Sequence, residues 1–293
     1  MMKKNVVILG KFDGIHVAHA KLISTACDIA SKFNMQTLVY SMQRADASVI
    51  TNDDEKLQIL TMMGVDKVVF RALDEEFMSL DAARFVSDVL IGELGAAHVV
   101  VGENFRFGKG RMAGSSELVQ LCTKYSVGVT VIDTICISDF DGKDDPVSST
   151  KIRSLISCGR VDDAAVYLGR PYTISGTVRE GKHLGRTLGF PTVNLYPDAN
   201  AILPANGVYA TVLHTDGERY EAVTNVGVNP TVDMGNNIKA ETHVFGNVGN
   251  LYGKKISVEF IKLIRPEKHF PDVNTLKTQV ESDKLKAKEI HGI

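Results

Sequence analysis

The stretch GKFDGIHVAHA, residues 10–20, sets His16 and His19 three positions apart behind a glycine turn and a short apolar strand. A glycine turn after a strand lets backbone N–H groups face an anion, and the start of the next helix adds its dipole. Histidines at this spacing project from one helical face. There they can donate hydrogen bonds to a nucleotide's phosphates as charge builds on a departing pyrophosphate. Taken alone, the pair is more simply a helix start with two histidines beside a loop. Zinc is disfavoured, because no third ligand stands at a suitable spacing.

The elements that would position this pair alternate. NVVILG (5–10) reads as a buried strand, and residues 16–34 carry an apolar helical stripe at Ile23, Ala26, Ala30 and Phe33. QTLVYSM, VDKVVF, AHVVVG and VGVTVID continue as strands. DDEKLQILTMMG, SLDAARFVSDVLIGELG and SSELVQLCTKYS read as the helices between them. This βαβ succession implies a parallel sheet covered by helices on both faces. Ligands of such sheets bind beyond the carboxyl ends of strands, where GKFDGIH and GENFRFG both fall. Past LGRPY the pattern changes to short strands, YTISGTVRE, GVYATVLHT, RYEAVTNVG, KAETHVFG and KISVEFIKLI, which suggest an antiparallel barrel or sandwich. DVNTLKTQVESDKLKAKEI reads as a surface helix with a solvated charged face. The expected domains are therefore 1–170, α/β, and 171–293, all-β with a C-terminal helix.

The totals narrow the function classes. The chain has 293 residues, room for two cores, and 44% apolar residues. A net charge of −2 without a basic block gives no support for a nucleic-acid partner. Cys27, Cys122, Cys136 and Cys158 are scattered, as free thiols in a reducing compartment would be. The apolar run Val6–Leu9 is too short for a secretory segment, and no later run approaches a membrane span, so a cytoplasmic protein is expected.

The motifs GKFDGIHVAHAKL, GENFRFGKGR, SSTKIR, LGRPY, GRTLGFPTVN, LPANGVYA, NVGVNPT, ETH, LYG and IRPEKHF occur in this order along nearly the whole chain. Together they resemble the bacterial bifunctional riboflavin kinase/FMN adenylyltransferase (FAD synthetase) family. The resemblance implies an N-terminal nucleotidylyltransferase domain of Rossmann-like fold and a small C-terminal β-barrel kinase. It implies ATP, Mg²⁺ and the flavins riboflavin and FMN as the small molecules handled, and leaves the oligomeric state open. In the kinase half, Gly181, His183, Gly185, Arg186, Gly189 and Pro191 would surround the ATP phosphates, the glycines letting the loop close through its backbone. Thr192 and Asn194 would hold Mg²⁺ with oxygen ligands, Glu241 would be the catalytic base, and Arg265 and Phe270 match a segment closing over flavin. Gly246 and Asn250 stand where the family often has acids.

In the adenylyltransferase half the resemblance assigns His16 and His19 to catalysis, and Gly10, Phe12, Asp13, Asn104, Ser149, Thr150 and Arg153 to the nucleotide. Arg153 suits bidentate phosphate binding. Three positions depart from the family pattern. Ala18 replaces a glycine, YSMQRAD stands where a PHP segment is usual, and Asn104 replaces an aspartate. The transfer needs alignment and charge stabilisation rather than a base, since the FMN phosphate is already ionised. Each lost donor in such a site costs about a hundredfold in rate. The expectation is therefore a riboflavin kinase with reduced or absent FAD formation. The alternatives are a fully bifunctional enzyme and a flavin-binding regulatory protein.

Overall fold

The computed structural model describes residues 4–43, 48–138, 144–179, 190–198, 200–228 and 238–293. It divides into two compact units, Met1–Ser149 and Thr150–Ile293.

In the first unit, five parallel strands stand in the order β3-β2-β1-β4-β5: β1 Asn5–Gly10, β2 Gln36–Gln43, β3 Lys67–Ala72, β4 Ala96–Gly102 and β5 Gly128–Ile132. β1 is central, and its alternate residues feed two cores. Val6 and Ile8 pack with Leu22, Ile23 and Ala26 of α1 (Val17–Phe33) and Leu60 of α2 (Asp53–Met62). Val7 and Leu9 pack on the other face with Phe85, Val86, Leu90 and Leu118. A capping box between Asn52 and Glu55 starts α2. The helix expected over 79–95 is broken. After α3 (Glu75–Ser79), α4 is a single turn, Ala82–Arg84, running into a π-helical stretch, Phe85–Glu93. α5 spans Ser115–Thr123. A short antiparallel pair, β6 Cys136–Ser138 and β7 Asp144–Pro146, is too brief for sequence periodicity to reveal. The strand order reverses beside β1, so the crevice beyond β1 and β4 is the topological switch point where ligands bind in such sheets.

The second unit is a closed antiparallel barrel in the order β10-β11-β12-β9-β8-β13. Its strands are β8 Tyr172–Arg179, β9 Val193–Pro197, β10 Gly207–Thr215, β11 Glu218–Val228, β12 Ile238–Val244 and β13 Lys255–Pro266. Of the barrel and sandwich left open by the sequence, the chain forms the barrel. β9 is a strand that the sequence reading leaves inside the GRTLGFPTVN loop. Inside the barrel, the buried hydroxyls of Thr211, Thr224 and Thr242 form a chain, at 2.7 and 2.9 Å, and so satisfy one another away from water.

Two helices precede the barrel, α6 Ser149–Ser157 and α7 Val161–Leu168. The sequence reading places both in the first domain, with a boundary near residue 170. The compact units instead separate between Ser149 and Thr150. α7 packs on β13 and β8, and the Ile156 carbonyl accepts a hydrogen bond from Ala205 N at 3.3 Å, which ties these helices to the barrel. The C-terminal α8, Val273–His291, buries Ala287 against Val208, Ala210 and Val223. Its charges are not all solvated as expected, because Asp283 is buried. Among the described residues, no helix is long and apolar enough to cross a membrane.

Candidate active sites

The loop after β1 is held under strain. Phe12 (φ 50°) and Ile15 (φ 42°) take left-handed backbone conformations, which cost a side chain about 1–2 kcal/mol each. Hydrogen bonds fix the loop in place. Asp13 Oδ1 accepts from Ile50 N at 2.8 Å, Ser149 Oγ donates to the Asp13 carbonyl at 2.8 Å, and Ser41 Oγ donates to the Lys11 carbonyl at 3.1 Å. Phe12 is fully buried and folds back so closely that a Cβ on Gly10 would lie 3.0 Å from its ring. A larger residue at position 10 would have to displace that ring by a few tenths of an ångström.

The two histidines are not both on the helix face. His16 precedes α1 in extended conformation and caps it, its Nδ1 accepting from His19 N at 3.4 Å. The imidazoles still meet, stacked at 3.7 Å between centroids, and the Phe12 ring lies 4.9 Å from that of His19. The imidazole pair, the start of α1 and a rigid turn therefore stand together at the switch point. That arrangement suits a phosphate. Ala18 is the second residue of α1, in helical backbone, where glycine's freedom is not needed.

The structure reaches residues that sequence reasoning missed. At the end of β2, Gln43 accepts from Lys56 Nζ at 2.6 Å and donates to Asp53 at 2.8 and 2.9 Å, and Lys56 is fully buried. Arg44, Ala45 and Asp46 of YSMQRAD lie outside the described residues. After β4, Asn104 is exposed and donates through Nδ2 to Thr134 Oγ1 at 3.0 Å. The Thr134 hydroxyl in turn donates to the Glu103 carboxylate. Asn104 and the Glu103 carboxylate thus share the Thr134 hydroxyl. Glu103 stood in the quoted motif, but nothing in the sequence tied it to Thr134. Ser149 begins α6, and the helix continues with exposed Thr150 and half-buried Arg153, which belong to the second compact unit.

In the barrel, register brings the second site together. Glu241 of β12 stands opposite Asn194 of β9 on one side and Asn225 of β11 on the other. Directly opposed residues share a face. Ala240 and Thr242 point inward and are buried, so Glu241 and His243 occupy the outer face. Thr192 precedes β9, and His243 Nδ1 lies 2.9 Å from the Pro191 carbonyl, which can only accept. Burial pushes the His243 pKa below the usual histidine value. Glu241, Asn194 and Thr192 therefore bring a carboxylate, an amide and a hydroxyl to one edge of the barrel. The Asn194 amide and Thr192 hydroxyl oxygens are hard donors that fit Mg²⁺ held jointly with phosphates, with the Glu241 carboxylate beside them. Gly181, His183, Gly185, Arg186 and Gly189 lie outside the described residues.

Arg265 and Phe270 do meet, with the guanidinium 5.6 Å from the ring centroid. The guanidinium is also committed elsewhere. Its Nε and terminal nitrogen donate to the Asp283 carboxylate of α8 at 2.8–3.0 Å, and Gln279 donates to the same carboxylate at 2.9 Å. In this arrangement Arg265 anchors α8 to β13.

Comparison with known proteins adds to this geometry. The FAD synthetase family model matches residues 1–151, and the riboflavin kinase model matches residues 168–291. A bifunctional riboflavin kinase/FMN adenylyltransferase of Escherichia coli (strain K12) is 33% identical over 298 residues, covering 98% of this chain and 93% of that protein. The protein of the same description from Bacillus subtilis (strain 168) is 32% identical over 297 residues, covering 97% and 92%. A crystal structure described as a macrolide-efflux protein from Streptococcus pneumoniae is 28% identical, with a TM-score of 0.87 over 98% of this chain and 95% of that one. With both family models matched in the order of its two units, the chain belongs to the bifunctional riboflavin kinase/FMN adenylyltransferase family and is a riboflavin kinase, a phosphotransferase.

Proposed function

We propose that both units of this chain are active, so that it converts riboflavin to FMN and FMN to FAD in the cytoplasm. In the first reaction the ribityl hydroxyl attacks the γ-phosphorus of ATP. Its oxygen forms the new P–O bond as the bond to ADP breaks, and Glu241 accepts the hydroxyl proton. Thr192 and Asn194 would hold Mg²⁺, which would offset charge on the phosphates. In the second reaction an FMN phosphate oxygen attacks the α-phosphorus of ATP and pyrophosphate leaves, with no proton to remove. His16 and His19 stabilise the charge that builds on the leaving group.

The observation that carries FAD formation is the pinned strand-end loop, with stacked His16 and His19 at its exit. It supports a working site over an eroded one. Ala18 stands where helical backbone suits it, and Glu103 lies next to Asn104 through Thr134. The sequence-based expectation of reduced FAD formation rested on three departures taken together, Ala18, the missing PHP segment and Asn104. The name shared by the curated relatives also favours the bifunctional reading.

The test separates flavins chromatographically after incubating the protein with Mg²⁺ and ATP, once with riboflavin and once with FMN. FAD is expected from both tubes. The variant Glu241→Gln should form FAD from FMN only, and His19→Ala should accumulate FMN from riboflavin. FMN from riboflavin but no FAD in either tube would show the first unit to be silent.

A further inference from the structure

His243 has no assigned part in the reaction, yet it is placed to hold one side of the kinase site. The pairing of β9 with β12 runs Leu195–Ala240, Asn194–Glu241 and Val193–Thr242, and then stops. One step further would set Thr192 against His243. Pro191, just beyond, has no N–H to offer a ladder. The tie at that point is the His243 side chain, which reaches the Pro191 carbonyl at 2.9 Å. A carbonyl only accepts, so Nδ1 carries the proton.

The ring is itself held. Phe245 meets it edge-on at 6.0 Å, and Val223 of β11 is its opposite neighbour. Among the described residues, the charged groups that act on it are Glu281, Lys284 and Lys288 of α8, and Glu241 shares its face of β12. His243 therefore links the strand bearing Glu241 to the peptide unit that leads into Thr192.

We propose that His243 is a positioning residue of the kinase: through the Pro191 carbonyl it sets Thr192 against Glu241, and so orients the metal–ATP complex for attack. The inference rests on the roles given above to Thr192 and Glu241. It predicts a defect in the use of ATP rather than in flavin binding or stability.

The test compares His243→Phe, which keeps the ring against Phe245 without a donor, with His243→Asn, whose amide N–H replaces Nδ1–H. H243F should lower kcat/KM for ATP about tenfold, the loss expected for one positioning hydrogen bond. H243N should recover to within about threefold of wild type by the same measure. Riboflavin affinity and melting temperature should match in the two variants. If H243F does not fold, His243→Gln, with its donor displaced by one methylene, takes its place. Wild-type ATP kinetics in H243F, or an H243N variant as impaired as H243F, would overturn the proposal. The reading of Glu241 fails separately, through a Glu241→Gln variant that still phosphorylates riboflavin.

Discussion

Removing the Asp283 carboxylate tests whether Arg265 is an anchor or a flavin contact. The Arg265 and Asp283 side chains are 11% and 4% exposed, and four N···O contacts of 2.8–3.0 Å converge on the carboxylate, three from Arg265 and one from Gln279. Taking one partner from such a pair strands the other charge without compensation, at about 3–5 kcal/mol. For a unit of this size each kcal/mol shifts the melting temperature by about 3 °C. Asp283→Leu should therefore lower the melting transition of the barrel unit by about 10 °C. Joining it with Arg265→Met should recover most of the loss, because packed apolar residues of similar volume replace a buried pair at little cost. The exposed Lys284–Glu281 pair is the control, and Lys284→Ala should move the transition by under about 2 °C. Calorimetry of the wild type, Asp283→Leu, Arg265→Met and the double variant gives the coupling directly. An Asp283→Leu variant that melts within about 2 °C of wild type, with a raised KM for riboflavin, would refute the anchor and return Arg265 to the flavin.

Three further outcomes follow from the geometry. Burial holds the His98 and His243 pKa values below the histidine reference of 6.5. The unfolded chain then takes up protons first, so stability should fall as pH drops below about 6.5, and it should fall less steeply in a His98→Gln, His243→Asn variant examined by denaturant titration. Thiol labelling of the native protein should modify Cys136 and Cys158 quickly, whereas Cys122, buried and with its pKa pushed up to about 11, should react only on unfolding. Labelling of Cys122 at the rate of Cys136 would contradict its burial. A Cβ on Gly176 would fall 2.1 Å from the Tyr196 carbonyl oxygen, across the β8–β9 pairing. Gly176→Ala should therefore destabilise the barrel by more than about 2 kcal/mol in urea unfolding, and a shift below about 0.5 kcal/mol would place the strands further apart than described here.

The alternation of strand and helix, the change to short strands past residue 170 and the order of the motifs were all legible in the sequence. They depend on periodicity and local chemistry, which neighbouring residues set among themselves. What escaped the sequence depends on residues far apart in it. Glu241 meets Asn194 and Asn225 only because barrel closure fixes their register. Glu103 reaches Asn104 through Thr134, whose hydroxyl arrives from beyond the neighbouring strand β5. α6 and α7 follow the barrel because of the surface they pack on, although their sequence continues a pattern of alternating elements. Asp283 looked like one more solvated charge until Arg265 covered it. The sequence by itself determined which elements form and which chemistry they carry. Only the tertiary structure decided which of these residues meet, because strand register and helix docking are settled by burying surface between distant parts of the chain.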